Sequence, residues 1–191
     1  MLNITLRIST LLLFAIQYVY WKITERKADK AKPKSPPTFV QQIRHKLWTI
    51  LTAFVTLQIV GLHVFLYPYN PLMQLTGTIL VLCGILVGIM ARREIGVNWT
   101  HAFEYQIKKN HDLVTSGIYY YVRHPIYTGI LVSFVGAELV AGSYLVFIIA
   151  FIIFLGVYKQ AKAEEKILTT HFGKPYIDYM NKTKMLIPYI L

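Results

Sequence analysis

Cysteine is almost missing from this 191-residue chain: Cys83 is the only one, and it sits in the apolar run Leu80-Val81-Leu82-Cys83-Gly84-Ile85-Leu86. A disulfide framework is thereby excluded, and so is a metal site built from cysteines; no metal is expected. Negative charge is scarce as well, with 9 Asp and Glu against 20 Lys and Arg. In a soluble protein the resulting +11 would point towards nucleic acid. Here the basic residues flank apolar segments, so membrane topology accounts for them and no nucleic-acid partner is expected. A glycine-rich strand–turn–helix unit for a nucleotide is also lacking, which leaves any such ligand to a site assembled from helix ends. What the chain has is apolar bulk. It is 55% hydrophobic with a mean hydropathy of +0.45, too greasy for an ordinary soluble domain of this length.

Five apolar segments predict an all-α, multi-pass integral membrane protein. Residues 2–21, 47–66 and 71–90 each offer the roughly 20 apolar residues that cross a bilayer as helix. Residues 126–140 and 144–157 are shorter, and Ala141-Gly142-Ser143 between them predicts a tight helical hairpin whose second arm continues through Tyr158 to Thr170. The first segment reads as an uncleaved anchor, since no small-residue cleavage site follows it. Residues 22–46 carry eight Lys and Arg together with Pro33, Pro36 and Pro37, and predict an extended basic connector. Under this five-span arrangement 19 of the 20 basic residues fall on one side. The positive-inside rule then places the N-terminus outside and the C-terminus in the cytoplasm. Gly84 and Gly88 form a GxxxG face suited to close helix packing. Glu138 is the only acid within a span; it lies near the outer end of a short helix, where an intramembrane role and an interfacial position are both open.

Residues 111–129, His-Asp-Leu-Val-Thr-Ser-Gly-Ile-Tyr-Tyr-Tyr-Val-Arg-His-Pro-Ile-Tyr-Thr-Gly, make a polar, aromatic island at the mouth of the fourth segment. Its counterpart is the acid pair Glu164 and Glu165 beyond the fifth. The hairpin returns the chain to the face it left, so Arg123-His124-Pro125 and Glu164-Glu165 should be neighbours. Pro125 suits a first helical position, which puts His124 near the N-cap, where unpaired backbone N–H groups attract anions. A ligand carboxylate suits that end; the two acids suit hydroxyls or an amino group. Plainer readings compete residue by residue. Tyr119, Tyr120, Tyr121 and Tyr127 fit an interfacial aromatic belt, and Arg123 and His124 fit positive-inside flanks. Glu164 and Glu165 beside Lys162 and Lys166 fit a solvated helix face. As a set, these residues favour a cytoplasm-facing site for a polar small molecule.

The string Leu113-Val114-Thr115-Ser116-Gly117-Ile118-Tyr119, then Arg123-His124-Pro125-Ile126-Tyr127-Thr128-Gly129, then Glu164-Glu165, then Phe172-Gly173-Lys174-Pro175-Tyr176 resembles the isoprenylcysteine carboxyl methyltransferase family over about residues 98–188. The resemblance implies an integral membrane enzyme using S-adenosylmethionine, with residues 1–91 forming transmembrane helices and residues 92–191 the catalytic region. It implies a cofactor pocket of Gln106, His111, Asp112, Leu113, Val114, Gly117, Tyr119, His124, Pro125, Ile126, Tyr127 and Glu164. Arg123, His124, Glu164 and Glu165 would stand at its catalytic end. The substrate implied is a lipophilic small molecule or lipidated protein that enters from the bilayer and offers a carboxylate. One departure concerns position 160: family members acting on prenylated cysteine carry an arginine four residues before the first glutamate, and here it is Gln160, with Lys159 and Lys162 as replacement cations. Related membrane methyltransferases of phospholipid amines share a looser version of the pattern, and a membrane reductase using a nicotinamide cofactor is the alternative outside methyl transfer.

Overall fold

The computed structural model describes residues 2–28, 39–62, 70–99 and 111–191. Helices α1 (Leu2–Ala28), α2 (Phe39–Val60), α3 (Pro71–Ile95), α4 (Pro125–Ala141), α5 (Val146–Phe172) and α6 (Lys174–Lys182) account for most of them, and no strand occurs among the described residues. The helices α1, α3 and α5 are long and apolar enough to cross a membrane, and α4 is a shorter apolar helix. The all-helical class follows the hydropathy pattern.

Helix ends form where the sequence supplies caps. Asn70 accepts hydrogen bonds from the Leu72 and Met73 N–H groups at 2.9 and 3.2 Å, and Pro71 opens α3 at a position that needs no donor. Pro125 opens α4 in the same way, with His124 at the N-cap. Gly142, in the left-handed region at φ 76°, closes α4 by returning its N–H to the Glu138 carbonyl at 3.0 Å, and α5 begins four residues later. The hairpin is therefore local chemistry, and α5 runs on through Phe172 as its sequence predicts.

Two expectations need correction. The connector 22–46 is not extended throughout: α1 continues to Ala28 and α2 starts at Phe39. Lys22–Ala28 and Gln41–Lys46 are rich in Ala, Glu, Gln, Lys and Arg, all good helix formers, and the breaking prolines are confined to 33–37, outside the described residues. The second apolar helix ends at Val60 rather than reaching Leu66, because the Gly61 and Leu62 N–H groups both turn back to the Leu57 carbonyl; residues 63–66 lie outside the described residues.

The centre of the bundle is a seam between α3 and α4. A Cβ on Gly77 would stand 2.6 Å from the Gly136 carbonyl oxygen, and one on Gly84 2.5 Å from that of Gly129. The glycine motif of α3 thus serves packing within one chain, as its sequence suggests, with Gly88 facing the Trp21 ring. At the end away from the polar island, Arg7 donates to the Gln58, Ile59 and Ala141 carbonyls at 3.3, 3.0 and 3.2 Å. One guanidinium thereby satisfies late carbonyls of α2 and α4 together, which gives Arg7 an internal role in the bundle. Glu138, in the same end of α4, is wholly buried inside the bundle.

Candidate active site

The island 111–129 is shaped by the chain that follows α6. The Arg123 and His124 N–H groups donate to the Lys184 and Met185 carbonyls at 2.8 and 3.0 Å, and Thr128 Oγ1 donates to the Leu186 carbonyl at 2.6 Å. Tyr179 Oη donates to the Tyr119 carbonyl at 2.6 Å. Burial holds the Tyr119, Tyr176 and Tyr179 phenols far above their ordinary range, so all three remain neutral donors. The tyrosines of the island divide: Tyr119 and Tyr127 are buried, whereas Tyr120 and Tyr121 are exposed and fit the interfacial reading.

Arg123 is structural ballast for this corner. Its Nε donates to Glu165 Oε1 at 2.7 Å, and its Nη1 donates to the Met180 carbonyl at 3.1 Å and to the Thr183 carbonyl. Both side chains of the ion pair are buried; the two carbonyls take up the further donors of Arg123, and Glu165 Oε2 has Lys162 Nζ at 3.7 Å. Glu165 therefore ties α5 to the start of α4 and the end of α6. The solvated-face reading fails for it.

Glu164, one residue earlier on α5, points elsewhere. Tyr127 Oη donates to Glu164 Oε1, and Gln160 Nε2 donates to the same oxygen at 3.0 Å. His124 lies between the two acids, its Nδ1 3.5 Å from Glu164 and its Nε2 3.6 Å from Glu165, with its ring stacked on Tyr127 at 5.5 Å between centroids. These separations make ionic contacts rather than short hydrogen bonds. Burial by itself would lower the His124 pKa; the two carboxylates outweigh it and hold the imidazole above its ordinary value, favouring the cation.

This cluster is the polar end of a cavity of about 840 Å³. His111, Asp112, Leu113, Val114, Tyr119, Arg123, His124, Ile126, Tyr127 and Glu164 line it, so the sequence island does converge. Gly117, Pro125 and Glu165 are not on its wall. Gly117, at φ 57°, packs against the Glu94 carboxylate, leaving no room for a Cβ, and Pro125 is fully buried at the start of α4. Gln106 lies outside the described residues. No sequence pattern pointed to Asn98, Trp99 or Tyr179 on this wall, nor to the far wall, where Phe14, Trp21, Trp48 and Val55 of α1 and α2 make an apolar continuation. Asn98 earns its place by accepting from the Asp112 N–H at 3.1 Å, which pins the 111–114 strip, and Arg92 stacks over Trp99 at 4.1 Å.

Charged, hydrogen-bonding groups at one end of a cavity and lipid-like walls at the other define a helical membrane protein with a site for an amphipathic reaction pair or ligand. The family described as phospholipid methyltransferase matches residues 72–175, more than half of the chain, and the chain belongs to that family. Relatives include the protein-S-isoprenylcysteine O-methyltransferase of Saccharomyces cerevisiae, 30% identical over 68% of this chain and 55% of its own length. That of Schizosaccharomyces pombe is 32% identical over 51% of this chain and 42% of its own. The mouse protein of the same name is 28% identical over 60% of this chain and 41% of its own. The chain thus spans about half the length of these relatives. Among solved structures, the eukaryotic intramembrane Ras methyltransferase, isoprenylcysteine carboxyl methyltransferase, shares the fold with a TM-score of 0.75 at 18% identity, over 100% of this chain and 68% of that one.

Proposed function

We propose that the chain is an S-adenosylmethionine-dependent methyltransferase that methylates the carboxylate of a prenylated cysteine or a similar lipophilic acceptor delivered from the bilayer. The observation that carries this reading is the two-ended cavity, in which Glu164, His124 and Tyr127 face the same space as Trp48 and Val55. The donor set fits the cofactor. The His124 cation suits its carboxylate, Glu164 suits its ammonium or ribose hydroxyls, and the aromatic wall of Trp99, Phe172 and Tyr176 suits its flat base. S-adenosylmethionine, when bound, supplies an electrophilic methyl on a sulfonium.

The remaining work falls to the protein. Methylating a carboxylate joins two opposite charges into two neutral products, and the apolar walls of α1 and α2 favour that loss of charge over water. Transfer to a carboxylate would move no proton, so the protein would need to supply no general base. Positioning is the main requirement. By this reading residues 1–91 supply membrane helices and residues 92–191 the catalytic region, with five spans, the N-terminus outside and the site facing the cytoplasm. Cysteines placed at Lys30 and Lys182 should then be labelled from one compartment; labelling from opposite compartments would overturn the topology.

Methylation of a phospholipid amine is the second reading, favoured by the description of the matched family. It needs a base to strip the ammonium, and the Glu164 carboxylate on the cavity wall is the candidate. Two measurements on detergent-purified protein decide. S-adenosylhomocysteine should bind and NADPH should not; the reverse would promote a reductase. Methyl incorporation should be found in farnesylcysteine; incorporation into phosphatidylethanolamine alone would sink the carboxylate reading.

A further inference from the structure

Resting on the reading that the polar end of the cavity takes the methyl donor and the walls of α1 and α2 take the acceptor, we infer that Arg92 is a positioning residue that ties those two walls together, so that donor and acceptor bind cooperatively. Arg92 is 3% exposed and does not line the cavity, so it acts on the ligands only through its neighbours. Those neighbours belong to both sides of the site. Its Nη1 donates to the Gly96 carbonyl at 3.0 Å and its Nη2 to the Thr24 carbonyl at 3.1 Å. Its guanidinium carbon stands 4.1 Å from the centre of the Trp99 ring, within cation–π range.

The sequence puts this cation where two helices end. Arg92 lies in the last turn of α3, and Thr24 lies one turn before the end of α1. Helix C-termini attract positive charge, and here one guanidinium serves both. A second step of the same docking lies one turn earlier on the same face of α3, where Gly88 faces the Trp21 ring. Trp21, with Tyr18 and Phe14 further along α1, lines the acceptor side of the cavity. On the donor side Trp99 lines the same cavity, and the adjoining Asn98 accepts from the Asp112 N–H at 3.1 Å, so the ring and the 111–114 strip are set together. A guanidinium is a rigid plane, and one N–H cannot follow a moving carbonyl without turning the others. Displacement of Thr24 therefore tilts the face that backs Trp99. An acceptor lying along Trp21 and Tyr18 fixes the end of α1 and, through Arg92, the ring that faces the donor. The second ligand then meets a wall already ordered, and the coupling is reciprocal.

Calorimetry of S-adenosylhomocysteine binding, with and without saturating farnesylcysteine, reads this coupling without turnover. Wild-type protein should bind S-adenosylhomocysteine about 5- to 150-fold more tightly with farnesylcysteine present. Arg92→Met should bring that ratio to within about twofold of unity. Trp99→Leu leaves both carbonyl contacts in place and should abolish the coupling as well, and the double variant should lose no more than either single one. Arg92→Lys keeps the charge without the planar fork, so relative to Arg92→Met it should regain thermal stability and not the coupling. Arg7→Met separates positioning from stability: it breaks the double helix-end contact at the opposite end of the bundle, and should lower Tm while the coupling persists. A wild-type ratio near unity, a ratio that survives in Arg92→Met or in Trp99→Leu, or its equal loss in Arg7→Met overturns the inference and leaves the methyltransferase reading standing. If phosphatidylethanolamine is methylated and farnesylcysteine is not bound, the carboxylate reading falls, and the same ratios read with that lipid decide on Arg92. Failure of wild-type protein to bind S-adenosylhomocysteine at all sinks both.

Discussion

Replacing Glu165 with Gln tests whether this acid belongs to the ligand site or to the scaffold. The side chain keeps its shape and loses its charge, which leaves Arg123 buried with only the Met180 and Thr183 carbonyls and the His124 ring nearby. Removing one partner of a buried ion pair costs about 3–5 kcal/mol, and the amide oxygen can still accept from Nε, so the lower figure of about 3 applies. In a chain of this size each kcal/mol moves Tm by roughly 2–4 °C, which gives an expected fall of about 6–12 °C. Thermal unfolding in detergent, followed by tryptophan fluorescence, measures it. Arg123→Met with Glu165→Leu should recover much of the loss, because no charge is then stranded. S-adenosylhomocysteine affinity in the single variant, measured well below its Tm, should stay close to wild type. An unchanged Tm together with a large loss of affinity would refute the assignment and return Glu165 to the ligand site.

Glu164→Gln should do the opposite: Tm near wild type, with S-adenosylhomocysteine affinity down about 10- to 150-fold by calorimetry. The His124 pKa is raised in the folded protein, so its stabilising charge is complete below the unfolded value near 6.5 and is lost as pH rises through the folded value. Tm should therefore fall as pH rises above the unfolded value near 6.5, and His124→Gln should flatten that limb; a slope that survives the substitution would assign it to another group. Gly84→Ala should overpack the α3–α4 seam at a cost of about 1–3 kcal/mol or more, while Gly156→Ala, where no atom stands within 4 Å of a Cβ, should be neutral or stabilising in the same unfolding assay.

Features written in neighbouring residues were legible beforehand. Pro125, His124 and Gly142 state where α4 starts and stops, and the apolar runs on either side of Gly142 state that the chain doubles back. The connector was misread because its prolines were averaged with helix-forming residues on both sides. Adjacent acids were harder. Successive helix residues diverge by about 100°, so Glu164 and Glu165 face different partners, and which one faces the cavity depends on where Arg123 sits. The Arg44–Gln160 contact spans 116 positions in sequence and obeys no local pattern. The clamp from Tyr179 to Leu186 is built largely on backbone carbonyls, which carry no side-chain signature at all.

The glycine seam has a consequence for how the molecule breathes. Where backbones meet with no side chain between them, there is no slack to slide on, and α3 with α4 forms a keel. Widening the cavity then falls to α1 and α2, whose outward residues Ile16 and Ile50 are 60% and 65% exposed. A door hung on those two helices, both placed in the bilayer by the proposed topology, would swing against acyl chains instead of solvent. Its opening rate would follow the thickness and lateral pressure of the surrounding bilayer, so that the lipid acts as the medium setting the pace of exchange.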